Sequence, residues 1–409
     1  MTLDRVRQIR IRNFRTLADV TLDLDGLSVV IGEAGSGKST LIEACEILRL
    51  STNTEFVSHL IRRHGALGAG LLRFGQEGLA LTARIGGAPG APDIEYSIGL
   101  INEGGQTVIE GEKLITFDPK DMVILLRDLS STEIWEGPGG LAKAAGAHPG
   151  RPLLSLYGAQ PQPVHPALKR AHTALSQIDV QPPFRVEPIW VADGPTRGVA
   201  RLPSVLERAE RLEPLARNLA SAFHSLLTEY GEQHRQETLE IVRLGLGDDV
   251  ESVMTPVYEA PGSVTLSVKF KQFGVVVPAW SLSDGQIAWL AFVALNRLET
   301  RRSLLAFDEP DLHLHPRLLM RLLDLFDRTA QECPVLITTH SDRLLDGLDD
   351  PANSVIVCEL DNDRATRLRR PNSAILDSWL KRYRGLGEIR AEGHLESVMS
   401  VDESSKART

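Results

Sequence analysis

The order of hydrophobic and polar residues predicts β-strands at the start of the chain. Two stretches alternate apolar and polar positions, as half-buried antiparallel strands do. Their apolar members are Ile9 and Ile11, followed by Val20, Leu22 and Leu24. Residues 27–31 form a nearly continuous apolar run, which is typical of a strand buried on both faces.

Further strand-like stretches follow at residues 79–85 and 94–101, separated by glycine and proline clusters. The first lobe is therefore predicted to be largely β. Residues 137–200 contain many Pro and Gly residues, which indicates loops and short helices. From 202 to about 230, apolar residues recur at helical spacing. Because Pro214 interrupts them, we expect two helices or one kinked helix.

The pattern after Ser263 changes to alternating strands and helices, which indicates a mostly parallel sheet. Strands are predicted at 264–270, 304–307, 335–338 and 355–360, with helices after Asp284, from Pro316 and after Ser341.

Composition places this 409-residue chain among soluble globular proteins, with 42% hydrophobic and 24% charged residues. The apolar stretch at 287–295 is much shorter than the roughly 20 residues of a membrane span. The N-terminus lacks the apolar core of a signal peptide. We therefore expect a cytoplasmic protein without a membrane partner.

The net charge of −9 excludes a protein that is basic throughout, but the charge is unevenly distributed. Residues 5–15 contain five Arg and no acid, and residues 361–390 contain eight Lys or Arg against four acids. Both segments are candidates for contact with duplex DNA. A solvated surface, or arginines paired with acids elsewhere, explains them equally well.

A glycine-rich segment after the strand at 27–31 matches the phosphate-binding pattern G-x-x-x-x-G-K-[ST] at every position. Such glycines let backbone N–H groups wrap around phosphates, and the following helix N-terminus adds positive potential. Lys38 would reach the β- and γ-phosphates, and the Ser39 hydroxyl would hold Mg²⁺. The matching residues are Gly32, Glu33, Ala34, Gly35, Ser36, Gly37, Lys38 and Ser39.

Two acids end the apolar strand at 304–307. Asp308 could hold Mg²⁺, and Glu309 could polarise an attacking water. An acidic strand end that caps the next helix is the alternative, and the intact phosphate-binding segment weakens it. Residues 281–286, including Ser283 and Gly285, precede an apolar helix, and His340 follows the strand at 335–338, where it could contact a γ-phosphate.

Together these motifs resemble those of ABC-type ATPases, most closely the RecF/SMC/OLD-like branch that is often described as AAA-family ATP-binding proteins. Residues 32–39 match its Walker A motif, and Asp308 and Glu309 match Walker B. Residues 282–286 resemble the LSGGQ signature, and His340 matches the switch histidine. Residues 11–15 resemble the opening strand, residues 310–316 the continuation after Walker B, and residues 376–387 the tail of stand-alone members.

The resemblance implies an ATPase that uses ATP and Mg²⁺. It assigns catalysis to Glu309 and His340, the metal to Ser39 and Asp308, and nucleotide contacts to residues 32–39, Thr40 and Arg15. It also implies that Ser283 and Gly285 of one copy contact the γ-phosphate held by another. ATP would then join two copies in a homodimer.

The resemblance further implies an α/β ABC-ATPase head with a RecA-like, mostly parallel sheet and a mixed β N-terminal lobe. The expected divisions are the N-terminal lobe at 1–135, a small helical insertion in place of a long coiled coil at 136–245, the C-terminal lobe at 246–390 and a disordered tail at 391–409. Two features depart from the branch. Asp284 stands where the signature usually has glycine, and the Q-loop glutamine has only Gln76 and Gln160 as candidates.

The implied function is a sensor or regulator in DNA maintenance or anti-phage defence. OLD-type relatives carry a Toprim nuclease for which the residues after 388 leave no room, so a separate effector protein, a nuclease or toxin, is expected. The nucleotide-binding subunit of an ABC transporter is an alternative, disfavoured by the long separation of Lys38 and Ser283. A P-loop kinase or GTPase is another, disfavoured by the signature and His340.

Overall fold

A computed structural model describes residues 4–65, 70–87, 89–117, 122–128, 130–135, 137, 140–144, 148–188, 198–258 and 262–399. The strands are β1 Arg5–Phe14, β2 Leu17–Asp23, β3 Leu27–Gly32, β4 Gly78–Gly86, β5 Ile94–Glu103, β6 Gln106–Thr116, β7 Met122–Arg127, β8 Thr132–Trp135, β9 Leu141–Lys143, β10 Ile178–Gln181, β11 Ser204–Val205, β12 Val250–Met254, β13 Val257–Tyr258, β14 Ser263–Val264, β15 Ser267–Phe270, β16 Val276–Pro278, β17 Leu304–Phe307, β18 Val335–Thr338, β19 Val355–Leu360 and β20 Thr366–Arg369. The helices are α1 Lys38–Leu50, α2 Phe56–His64, α3 Leu153–Tyr157, α4 Pro166–Ser176, α5 Leu219–Thr228, α6 Glu232–Leu246, α7 Asp284–Arg297, α8 Pro316–Glu332, α9 Asp342–Asp346, α10 Pro351–Ser354, α11 Ser373–Leu380 and α12 Leu386–Ala391.

The N-terminal lobe is built around an antiparallel sheet of eight strands in the described residues, in the order β2-β1-β4-β5-β6-β7-β8-β9. Ile9 pairs with Leu22 and Ile11 with Val20, and all four side chains are buried. The alternation in the sequence therefore marks the face of the sheet that packs on the core. The predicted largely β first lobe is confirmed.

A second sheet has the order β10-β17-β18-β3-β19-β20. All its neighbouring strands are parallel except β20, which pairs antiparallel with β19 at one edge. The predicted mostly parallel sheet is confirmed. Because parallel strands end at the same edge, this order brings together the residues that follow β3, β17 and β18.

The parallel sheet is buried on both faces. Val29 and Ile31 pack into one hydrophobic core, and Val30 between them packs into the other. The first core also contains α7, whose residues 287–295 are all buried. A helix that is apolar all round belongs inside a protein. Among the described residues, no helix combines the length and apolar character that a membrane span requires.

Three local predictions are corrected. Residues 204–205 form β11 rather than part of a helix, and the helical run begins only at α5, after a short 3₁₀ helix at Pro214–Ala216. The strand predicted at 264–270 is divided between β14 and β15, which belong to different three-stranded sheets. In the second case the apolar alternation marked buried positions at Val264, Leu266 and Val268 but not the break between the strands, whereas Leu202, Val205 and Leu206 of the helical run are exposed.

The ends of the expected divisions also differ from the fold. β10 lies inside the range assigned to the insertion, yet it forms the edge of the parallel sheet. Residues 391–399 were expected in a disordered tail, but they include a 3₁₀ helix at Leu395–Val398, and Met399 bridges to Pro371. Val398 and Met399 are buried, so this part of the tail packs on the C-terminal lobe. Residues 400–409 lie outside the described residues.

Candidate functional site

The P-loop connects β3 to α1 and needs glycine for steric reasons. Gly32 has φ 153°, and a Cβ built on it would lie 2.1 Å from the carbonyl oxygen of Cys358. Gly37 has φ 111°, and its Cβ would lie 2.7 Å from Oγ1 of Thr366. Side chains at either position would displace the neighbouring strands, so the glycines keep the loop against the sheet.

Lys38 folds back over the loop. Its Nζ donates to the carbonyl oxygens of Gly32 at 3.0 Å and Glu33 at 2.8 Å. Burial lowers the pKa of Lys38, although the nearby carboxylates of Glu309 and Asp308 act in the opposite direction. A buried ammonium held only by carbonyl oxygens is ready to exchange them for phosphate oxygens, because a charged acceptor makes the stronger hydrogen bond.

Asp308 and Ser39 meet where β17 ends and α1 begins. The Ser39 hydroxyl lies 3.1 Å from Oδ1 of Asp308, so a hydroxyl oxygen and a carboxylate oxygen are close enough to bind the same cation. Mg²⁺ prefers such hard oxygen ligands, usually with several waters and phosphate oxygens completing its shell. The residues present therefore fit the metal that the sequence predicts here.

Glu309 is fixed through the next strand. Its backbone N–H donates to Oγ1 of Thr338 at 3.0 Å, and Thr338 in turn donates to Asp308. Glu309 has φ 48°, a conformation that costs a non-glycine residue about 1 kcal/mol or more. Strain at a polar residue beside a P-loop is typical of a functional position, because the surrounding bonds must enforce it.

A cavity of about 360 Å³ lies over the P-loop. Nine of the residues that line it were assigned to the site from the sequence: Arg15, Ala34, Gly35, Gly37, Lys38, Ser39, Thr40, Glu309 and His340. A tenth lining residue, Thr16, was not predicted. His340 Nε2 lies 3.8 Å from Oε1 of Glu309, too far for a hydrogen bond but close enough for both to contact one phosphate or water.

Arg15 reaches the cavity but is held by an acid. Its guanidinium pairs with the carboxylate of Glu43 and donates to the carbonyl oxygen of Gly70 at 3.0 Å. Burial of Glu43 acts to raise its pKa, yet hydrogen bonds and charge from His64 and Arg15 hold that pKa below its ordinary value. Contact between Arg15 and a nucleotide stays a prediction, and it would have to compete with this ion pair.

The signature residues lie at the beginning of α7. Ser283 caps the helix by a capping box, in which Oγ accepts from the N–H of Gln286 and the N–H of Ser283 donates to Oε1 of Gln286 at 2.9 Å. A Cβ on Gly285 would lie 3.1 Å from the carbonyl oxygen of His313. Ser283 is exposed, and within one copy neither Ser283 nor Gly285 is among the described residues that line the P-loop cavity.

Three functional candidates escaped the sequence analysis. Arg390 donates to Asp342 at 3.0 Å and to the carbonyl oxygen of His340 at 3.4 Å. Arg390 lies three residues after the tail segment 376–387, and the resemblance of that segment to the ATPase branch could have drawn attention to it. Arg201 contacts the signature segment from a stretch with no recognisable motif.

Gln181 is the third candidate. It ends β10, and its carbonyl oxygen accepts from the N–H of Asp308 at 2.9 Å. Its side chain is buried and bonds to Asp179, while Oε1 has no hydrogen-bond partner in the described part of the chain. Gln76 and Gln160 are exposed and do not line the cavity. Gln181 is not among the described residues that line the cavity either, but its backbone hydrogen bond to Asp308 places it next to the Walker B acids, which makes it a further candidate for the glutamine that the sequence could not place.

Two regions of the chain match ATPase families. Residues 5–125 match the family described as "AAA ATPase domain", and residues 196–346 match the family described as "AAA domain, putative AbiEii toxin, Type IV TA system". No curated protein shows significant sequence similarity to the chain. The two regions that hold the predicted motifs are thus the regions similar to AAA-type ATPase families.

Solved structures of SMC heads resemble the chain. The SMC head bound to the C-winged helix domain of ScpA has a TM-score of 0.53 and 13% identity, covering 89% of this chain and 96% of that one. The head from Thermotoga maritima has a TM-score of 0.40 and 11% identity, covering 90% and 99%. A head with an extended coiled coil bound to the C-terminal domain of ScpA, derived from Pyrococcus furiosus, has a TM-score of 0.48 and 10% identity. That match covers 93% of this chain and 99% of the other. The first match shows that the fold is that of an SMC head, which is the fold that the resemblance in the sequence implies.

Proposed function

We propose that this chain, an AAA-type ATPase with the fold of an SMC head, binds ATP and Mg²⁺ over its P-loop and hydrolyses ATP only when a second copy completes the site. One observation carries the proposal. The cavity contains the P-loop, Glu309 and His340, whereas the described residues that line it include neither Ser283 nor Gly285 of the same copy. The N-terminus of α7 is instead exposed at Ser283, where another molecule can reach it.

Within one copy, the cavity supplies the groups for hydrolysis. Lys38 would exchange its carbonyl partners for phosphate oxygens, and Ser39 and Asp308 would hold the metal. Bound Mg²⁺ would neutralise charge that develops on the phosphates. The Glu309 carboxylate would orient a water and accept its proton as the water attacks the γ-phosphate, while His340 contacts the same phosphate.

The second copy would supply positive potential. The N-terminus of a 14-residue helix carries unpaired N–H groups and a partial positive charge, which stabilise an anion. Placed against the γ-phosphate, this end of α7 would neutralise charge that one P-loop leaves unbalanced. In a two-fold dimer each copy gives its signature to the other, so two sites form together. ATP then holds the dimer, and hydrolysis releases it.

Mixing two inactive variants tests the shared site. Lys38→Ala removes the phosphate-binding cation, and Ser283→Arg blocks the signature. Alone, each variant has only copies with the same defect, so any dimer that it formed would have two defective sites. In a mixed dimer, the P-loop of the Ser283→Arg copy meets the intact signature of the Lys38→Ala copy, so one site is restored. We expect the mixture to hydrolyse ATP, with Ser283→Thr as an active control that keeps the cap. A mixture as inactive as its components contradicts the shared site.

We further propose that the ATPase senses a signal in DNA maintenance or anti-phage defence and controls a separate effector, a nuclease or toxin. The match of residues 196–346 to a family described by a putative toxin of a type IV toxin–antitoxin system supports a defence role. In such a system ATP hydrolysis would set how long the dimer persists and therefore how long the effector is held or released.

Direct binding of duplex DNA has weaker support than the basic segments suggest. In the segment 361–390, Arg367, Arg384 and Arg390 all pair with carboxylates. Arg369 pairs with both Glu359 and Glu396. Their charge is largely neutralised within the protein, which reduces their attraction for phosphates.

Steady-state hydrolysis against protein concentration, with and without duplex DNA and at two salt concentrations, tests this role. Specific activity that rises with protein concentration supports a dimerising ATPase. Stimulation by DNA that weakens with salt supports a DNA sensor. Hydrolysis that is unchanged by DNA indicates that a protein activates the ATPase. Pull-downs from the native host would then identify that protein.

A further inference from the structure

The side chain of Arg201 ties the signature segment to the body of the protein. Arg201 ends a short 3₁₀ helix, Val199–Arg201, and is only 2% exposed. Its Nη1 donates to the carbonyl oxygens of Ala279 at 3.1 Å and Leu282 at 2.5 Å. Its Nη2 donates to Oδ1 of Asp284 at 2.5 Å. One buried guanidinium therefore holds the backbone at Ala279 and at Leu282, the first residue of the signature, together with the first residue of α7.

These contacts fix the path of the chain into the helix. The Arg201 Nε donates in addition to the carbonyl oxygen of Val186 at 2.6 Å, so the guanidinium is itself held from the other side. A planar guanidinium presents its donors in a rigid geometry. The distance between the carbonyl oxygens of Ala279 and Leu282 is thus fixed, and Ser283 is the residue directly after Leu282. The position of the exposed end of α7 depends on this cation.

Asp284 is the residue that departs from the usual signature. Its side chain is 40% exposed, and it occupies the first turn of α7, next to Ser283. An unpaired carboxylate there would occupy the positive end of the helix and repel an approaching phosphate, since like charges in an interface are strongly unfavourable. In the structure, the carboxylate is instead paired with a buried cation.

We propose that Arg201 is a positioning residue of the shared ATP site, which fixes the approach to Ser283 and neutralises Asp284 so that the phosphates of a second copy can dock. The inference rests on the proposed function, because it assigns Arg201 a role only where two copies meet. It predicts that loss of Arg201 affects dimerisation but not ATP binding by a single copy. ATP binding by one copy depends on the P-loop and should not need Arg201, whereas ATP-dependent association should.

The experiment removes the cation and then the anion it neutralises. Arg201→Met keeps the length of the side chain without its charge. In a Glu309→Gln background, light scattering measures ATP-dependent dimerisation, and a fluorescent ATP analogue measures binding to the monomer. We expect Arg201→Met to weaken dimerisation by at least about tenfold, through the uncompensated Asp284, and to change monomer binding by less than about twofold.

The double variant Arg201→Met with Asp284→Asn separates charge from structure. Without the carboxylate there is nothing left to neutralise, so we expect dimerisation to recover at least in part. A merely structural role for Arg201 predicts no recovery. Arg185→Met, which removes an exposed arginine paired with Glu187, is the matched control and should behave as the parent. Unchanged dimerisation in Arg201→Met, or no recovery in the double variant, overturns the inference.

Substitutions at Asp284 alone keep the test decisive if Arg201→Met does not fold. Asp284→Asn removes the charge, and Asp284→Glu extends it beyond the guanidinium toward the interface. We expect the Asn variant to dimerise at least as tightly as the parent and the Glu variant to dimerise more weakly. Equal dimerisation of both contradicts the inference. If the parent itself does not dimerise with ATP, the proposed function fails instead, so the two failures are distinguishable.

Discussion

Thr338 donates its hydroxyl to Oδ1 of Asp308 at 2.5 Å. The same hydroxyl accepts the backbone N–H of Glu309 at 3.0 Å, so one oxygen holds both acids of the Walker B pair. Ser39 approaches the same carboxylate oxygen from the P-loop. The last residue of β18 therefore fixes the distance between the proposed metal ligand and the proposed base.

Replacing Thr338 by valine tests this link. The change preserves shape but removes a donor to a charged group and an acceptor for Glu309, which together are worth about 1.5 kcal/mol or more. We expect kcat to fall at least about tenfold, because Asp308 and Glu309 lose the shared bond that positions them and misplaced catalytic groups slow the reaction strongly. ATP affinity should change little. Thr329→Val, on α8 and away from the cavity, is the matched control and should leave both kcat and affinity at the parent's values.

Glu309→Gln should separate binding from hydrolysis. The amide cannot accept the proton of the attacking water, so hydrolysis should fall by about 100-fold or more. ATP should still bind, because Lys38 and the P-loop are intact, and the dimer should persist. Light scattering with saturating ATP and Mg²⁺ measures the mass. A monomer under those conditions would count heavily against the ATP-bound dimer.

Removing Mg²⁺ should stop turnover. With EDTA in excess, Ser39 and Asp308 have no cation to bind, and repulsion between Asp308 and the phosphates is no longer compensated. We expect hydrolysis at background and weaker ATP binding, both restored by added Mg²⁺. Ser39→Ala should raise the Mg²⁺ concentration needed for half-maximal activity. An unchanged Mg²⁺ requirement in this variant would exclude Ser39 as a ligand.

Arg390→Gln should affect turnover through His340. Arg390 donates to the carbonyl oxygen of His340 and to Asp342, so its loss should loosen the histidine beside the cavity. We expect kcat to fall several-fold, with ATP affinity within about twofold. Arg384→Gln is the control, because Arg384 lies on the same tail, pairs with Asp346 and is exposed. Equal effects of the two variants would argue against a specific role for Arg390.

The cysteines offer a test of the fold. All three are buried, and burial raises the pKa of Cys45 to about 12 and that of Cys333 to about 11. The thiolate is the reactive form, so both thiols should be nearly inert at pH 8. A chromogenic thiol reagent should label neither Cys45 nor Cys333 in the native protein and should label both in denaturant. Rapid native labelling of either would contradict the described core.

The elements that carry chemistry could be predicted because their sequence signals are local. The P-loop, the acids after β17 and the cap at Ser283 each combine a residue pattern with an adjacent strand or helix, and nine of the residues assigned to the site line one cavity. Pro316 begins α8, as its position after a capping residue indicates. The parallel sheet followed from alternating strands and helices.

Long-range contacts account for what the sequence did not reveal. Arg201 lies far along the chain from the signature, and no pattern around it identifies its acceptors, which are mostly backbone carbonyls. Gln181 gains its place beside Walker B only because β10 pairs with β17. The helical run predicted from 202 to about 230 failed before α5, because Leu202, Val205 and Leu206 are exposed and β11 instead pairs with β14.

The burial of α7 along its length connects two separate surfaces of the protein. The helix spans about 21 Å, and all its residues from Ile287 to Leu295 are buried. Its far end, Arg297, donates to Glu237 on α6 and lines a cleft of about 650 Å³. The buried helix therefore joins the exposed Ser283 at one end of α7 to the lining of that cleft at the other.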